Sequence, residues 1–103
     1  MADYIINRDG AKSTITLNGD LTASMVAGLQ AALKTELESG VKELVFDLGN
    51  TVMLDSSGIG LLIAASNSLA KAQGKIQVIN VSPDILHLLQ SMRLAGRLNA
   101  TGR

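Results

Sequence analysis

A chain of 103 residues that is 47% apolar has room for one compact domain, and with Tyr4 and Phe46 as its only aromatics the core must be aliphatic. Nine Lys and Arg balance nine Asp and Glu, so no basic footprint marks a nucleic acid or an anionic bilayer as a partner. The absence of cysteine excludes a disulfide scaffold, a thiol nucleophile and a thiolate metal site, and fits a reducing cytoplasm as the expected location.

Taken in chain order, Tyr4-Ile5-Ile6 is β-prone and Asp9-Gly10 suits a turn that needs positive φ. Ile15 and Leu17 alternate with Thr14 and Thr16, which predicts an antiparallel hairpin with one buried face. After Gly19-Asp20, Thr22 or Ser24 can cap a helix. Its apolar stripe is Val26, Leu29, Leu33 and Leu37, with Lys34, Glu36 and Glu38 off the stripe and Gly40 as its stop. Leu44-Val45-Phe46 is a continuous apolar run, the pattern of a strand covered on both faces.

Asp55-Ser56-Ser57-Gly58 opens a second helix with Ile59, Leu62, Ile63 and Leu69 on its apolar face. Leu61 and Leu62 are adjacent, so one of them is expected to stay exposed. Ile76, Val78 and Val81 alternate as a strand. Ser82 as cap and Pro83 at the first helical position start a third helix, with Ile85, Leu88, Leu89 and Met92 facing inward. Beyond Gly96 the tail is polar and is expected to fray. No stretch is apolar enough to span a bilayer, and Met1 to Asp9 lacks the pattern of a signal peptide. The order predicts a single α/β domain over residues 1–103. Its mixed sheet would join an N-terminal antiparallel hairpin to parallel strands, under about three helices.

The chemistry concentrates in Asp55-Ser56-Ser57-Gly58-Ile59-Gly60. The first N–H groups of a helix lack intrahelical partners and carry the positive end of its dipole. A phosphate on a serine there meets donors and a favourable field. Gly58 would let a partner's backbone approach closely. A serine at a helix start also serves simply as a cap, and the spacing alone leaves Ser56 and Ser57 equivalent.

Phe46-Asp47-Leu48, followed by Met53-Leu54-Asp55-Ser56-Ser57-Gly58-Ile59-Gly60-Leu61-Leu62, resembles the signature of STAS domains, and among them of bacterial anti-sigma factor antagonists. Leu17-Asn18-Gly19-Asp20-Leu21, Gly74-Lys75-Ile76-Gln77-Val78 and Ser82-Pro83 are similar to further passages of that family, so the resemblance covers nearly the whole chain. It implies a non-enzymatic partner switch. The unmodified protein would bind a serine kinase of the histidine-kinase ATPase fold that is also the anti-sigma factor. Phosphorylation of the serine directly after the Asp, here Ser56 with Ser57 as fallback, would release it, and a serine phosphatase would reset it.

The implied docking surface comprises Gly19, Asp20, Leu21 and Thr22 together with Asp55, Ser56, Ser57, Gly58, Ile59, Gly60 and Leu61. Thr22 stands where many antagonists carry Asp. STAS domains also serve two-component, secretion, cyclic-di-GMP and lipid-transport systems; the double serine favours the antagonists over the lipid-transport variant.

Other candidates are weaker. His87 is the only histidine and reads as a surface residue; alone it makes no metal site. Asp55, Ser56 and His87 do not form a credible hydrolytic triad, since adjacent Asp and Ser project differently from one turn. Gly58-Ile59-Gly60 lacks the lysine of a phosphate-binding loop. No cofactor is expected. Met25, Met53 and Met92 read as core filler, with Met53 alternatively on the partner face.

Overall fold

The computed structural model describes residues 3–103; Met1 and Ala2, included in the expected domain, lie outside the described residues. The elements are β1 (Tyr4–Asp9), β2 (Lys12–Leu17), α1 (Ala23–Glu38), β3 (Glu43–Asp47), α2 (Ser56–Lys71), β4 (Lys75–Val81), α3 (Pro83–Ser91) and β5 (Ala100–Gly102). They form one five-stranded sheet in the order β1-β2-β3-β4-β5. β1 is antiparallel to β2 across a turn with Gly10 at φ 62°, and every later pair is parallel.

This order has a consequence for layering. Each crossover steps one strand in the same direction, so right-handed crossovers put all three helices on one side of the sheet. Burial agrees. Ile6, Ile15, Phe46 and Val78 stand abreast and pack into the helix-side core. On the opposite face stand Asn7, Thr14, Val45 and Gln77. Val45 is 4% exposed yet lies outside the helix-side cluster. The apolar run of β3 is thus buried on both faces as expected, though helices lie on only one; on the other face Val45 is shielded within the sheet between Thr14 and Gln77.

Four expectations are corrected. Leu61 and Leu62 are both buried: Leu61 turns toward α1, where it lines a cleft with Leu33 and Leu37. In α3, Leu88 and Met92 are exposed while Ile85 and Leu89 are buried. The helix stops at Ser91, Arg93 takes φ 59°, and the reversed chain brings Leu94 rather than Met92 into the core. The tail does not fray. Leu98 is fully buried and β5 pairs with β4. The Asn99 side-chain amide donates to Ile76 O at 2.8 Å, and Arg103 Nη2 donates to Gly49 O at 2.8 Å.

The last correction is Glu36, expected on the solvated side of α1 but buried. It accepts from Ser13 Oγ at 2.5 Å and from Arg8 Nε and Nη2 at 3.1 and 2.9 Å. The Ser13 hydrogen bond is the main cause holding its carboxyl below the usual range. Burial opposes that, and the hydrogen bond and charge of Arg8 reinforce it. This cluster pins the C-terminal end of α1 to the β1–β2 hairpin. Among the described residues, no helix is long and apolar enough to cross a membrane.

Candidate functional site

At the C-terminal ends of the central strands two loops run side by side: residues 18–22, leading from β2 to α1, and residues 48–55, leading from β3 to α2. Leu21 and Leu54 form a short parallel bridge. Leu21 N–H donates to Met53 O at 3.1 Å, and Asp55 N–H donates to Leu21 O at 3.3 Å. Side chains add to this backbone seam. Thr51 Oγ1 donates to Gly19 O at 2.8 Å, and Asp20 Oδ1 accepts from both Val52 and Met53 N–H at 3.0 Å.

Asp55 is the N-cap of α2, in extended conformation, and its Oδ1 accepts from Gly58 N–H at 2.9 Å. The cap is thus Asp55 and neither serine. Ser56 occupies the first helical position and is exposed; Ser57 follows, half-buried. Neither hydroxyl bonds a described residue, so neither is committed to capping.

At α1, Thr22 has the cap position but makes no side-chain cap bond, and Ser24 already lies inside the helix. The first amide of α1, Ala23 N–H, donates instead to Asp55 Oδ2 at 3.1 Å, from the other loop.

Gly58 is buried, and a Cβ there would fall 2.3 Å from Leu21 O. The close approach that demands glycine is therefore made by the chain's own β2–α1 loop, and not by a partner. Of the expected docking residues, Leu21, Gly58 and Leu61 are buried and cannot present side chains to a partner. Asp20, Ser56 and Gly60 are exposed; Gly19, Thr22, Asp55, Ser57 and Ile59 are half-buried. Val52, absent from the sequence-derived surface, is 77% exposed, and Met53 is 58% exposed rather than core. Two adjacent apolar residues in a loop already bounded by Asn50 and Asp55 were the available signal.

The site is anionic and unpaired. Asp20 and Asp55 accept from backbone amides, and among the described residues neither forms an ion pair. His87 is exposed on α3, and among the described residues no group of three His, Asp or Glu gathers to hold a metal ion.

A family model described as Mlab, STAS domain matches residues 5–100, and the chain belongs to the STAS-domain family. Within that class, the Bordetella bronchiseptica protein BtrV, described as an anti-sigma factor antagonist, is 23% identical over 83 residues. That stretch covers 81% of this chain and 69% of BtrV.

The fold is that of solved anti-sigma factor antagonists. A Thermotoga maritima protein so described superposes with TM-score 0.87 at 13% identity, over 94% of this chain and 84% of that one. The Bacillus cell fate determinant SpoIIAA superposes in its phosphorylated form with TM-score 0.80 at 20% identity, covering 97% of this chain and 90% of that one. In its unphosphorylated form the values are 0.75 and 22%, covering 84% and 81%.

Proposed function

We propose that this protein is a cytoplasmic anti-sigma factor antagonist that switches partners through Ser56. The observation that carries the proposal is an exposed hydroxyl at the first position of α2 that makes no hydrogen bond among the described residues. It sits at a positively polarised helix tip beside exposed Val52 and Met53. The unmodified surface, with apolar Val52 and Met53 near Asp20 and Ser56, binds a serine kinase of the histidine-kinase ATPase fold that doubles as the anti-sigma factor.

That kinase transfers the γ-phosphoryl group of its ATP to Ser56 Oγ. The Oγ–P bond forms, the P–O bond to ADP breaks, and the hydroxyl proton passes to a base. A phosphatase reverses the modification by directing water onto phosphorus, releasing inorganic phosphate and restoring the hydroxyl. The phosphate adds roughly −1.5 to −2 charge to a surface that already carries two unpaired carboxylates, and the docked interface separates. The occurrence of the SpoIIAA fold in both phosphorylated and unphosphorylated forms supports a switch that leaves the fold intact. Thr22 lacks the carboxylate many antagonists present, so kinase docking relies on Asp20 and the 52–53 loop instead.

The test is incubation with ATP and the kinases of this fold from the source organism, followed by mass spectrometry. Phosphate on Ser56 is expected, lost in Ser56→Ala. Ser56→Asp should weaken kinase binding by about tenfold, roughly 1.4 kcal/mol. Phosphate outside Ser56 and Ser57 would overturn the assignment. Stable capture without any phosphate incorporation would instead place the chain among constitutive STAS subunits of other pathways.

A further inference from the structure

One carboxylate serves the tips of two helices. Asp55 Oδ1 accepts from Gly58 N–H in the first turn of α2, and Asp55 Oδ2 accepts from Ala23 N–H, which begins α1. No cation pairs with it among the described residues, so the positive ends of two helix dipoles hold it in place. Since Thr22 makes no side-chain cap bond, Asp55 is what covers the tip of α1. The seam between the loops fixes how far apart these tips lie, with Gly58 against Leu21 as its tightest point.

We propose that Asp55 is a positioning residue that passes the state of Ser56 to the β2–α1 loop, an inference that rests on the partner-switching reading. A phosphate on Ser56 Oγ would stand one residue from this carboxylate, carry the same sign, and face the same first-turn amides of α2. Its oxygens bear more charge and take those amides in preference. Gly58 N–H cannot serve both anions fully. The Asp55 side chain turns away from the phosphate, and because its two oxygens move together, Oδ2 leaves Ala23 N–H as Oδ1 leaves Gly58 N–H. The tip of α1 loses its cap, and the segment from half-buried Thr22 to exposed Ala23 and Ser24 loosens. Modification of one loop thereby alters the docking surface contributed by the other, in addition to repelling the partner directly.

The test needs no kinase. Phosphoserine is incorporated at position 56 during translation, and amide exchange with water is followed residue by residue by NMR. Four proteins are compared: unmodified, phosphorylated at Ser56, Asp55→Ala, and the combination. In Asp55→Ala, both Ala23 and Gly58 amides should exchange about tenfold faster, the loss expected for a charged hydrogen bond. Phosphorylation should accelerate Ala23 about fivefold or more while Gly58 stays slow, its amide now held by phosphate.

In the combined protein phosphorylation should add nothing further at Ala23, because the relay is already absent. A purely structural Asp55 predicts that phosphorylation leaves Ala23 unchanged. That result, or independent effects in the combined protein, overturns the proposal. Should Asp55→Ala fail to fold, Asp55→Asn replaces it. Its single carbonyl oxygen can hold only one of the two amides, so one should accelerate and the other should not; both staying slow overturns the proposal. Failure of a kinase to modify Ser56 would count against partner switching alone, since here the phosphate is installed directly.

Discussion

The two ends of α1 are held by carboxylates in opposite ways. At its C-terminal end Glu36 is buried and neutralised, bound to a hydroxyl and to the Nε and Nη2 of a guanidinium. At its N-terminal end Asp20 and Asp55 bind only backbone amides and form no ion pair among the described residues. The first arrangement isolates its charge from solvent and from any visitor. The second leaves net negative charge at the surface, where its balance shifts if another anion arrives. Structural and responsive carboxylates are thus told apart by what neutralises them, not by how many hydrogen bonds they accept.

The strongest way to break the N-terminal arrangement is Gly58→Ala. The added Cβ would meet Leu21 O at 2.3 Å, a backbone atom that cannot rotate aside. The loops must part, and a loss of about 3 kcal/mol is expected from urea unfolding. At the opposite end, Glu36→Ala leaves the fully buried Ser13 hydroxyl without its acceptor, but Arg8, 41% exposed, can regain water. The expected loss is about 2 kcal/mol, short of the value for a fully enclosed ion pair.

Acid sharpens the same contrast. Because folding lowers the Glu36 pKa, its contribution is complete above the unfolded value of 4.5 and disappears as pH falls through the lower folded value. The stability gap between the wild type and Glu36→Ala should therefore narrow below about pH 4.5, read by denaturation at stepped pH. Asp20→Asn keeps an acceptor for Val52 and Met53 N–H but removes its charge, so a loss of about 1 kcal/mol is expected. Gly60→Ala is the smallest change and the control for Gly58. Nothing lies within 4 Å of its Cβ, and the gain in helix propensity should stabilise the protein by about 0.5–1 kcal/mol.

Those contrasts also mark what could be read from sequence. The hairpin, the parallel strands and the helix opening at Asp55 follow from periodicity and turn chemistry, which are local. The burial of Glu36 is not legible because its position on α1 is polar by composition, while Arg8 and Ser13, which make its burial tolerable, come from a distant hairpin. The sequence shows Asp55 as a neighbour of the serines; that it also caps α1 depends on two loops meeting, which no spacing encodes. β5 carries no apolar alternation in the sequence, and its strand is only three residues long. It is held by Leu98 beneath it and by Asn99 and Arg103 reaching back to the sheet. For Gly58 the residue type was informative, but the backbone it accommodates is the chain's own.

The antiparallel first strand has a practical consequence. β1 begins where β2 ends, with Tyr4 opposite Leu17, and β5 leaves the sheet beside Val81, with Arg103 reaching Gly49. The start of β1 and the end of β5 therefore lie at the serine-bearing rim, on opposite flanks. An affinity handle or fluorescent label joined just ahead of β1 or just after β5 would hang next to the region whose binding it is meant to report. The Gly10 turn, at the far rim, is where a probe could be grafted without shading it.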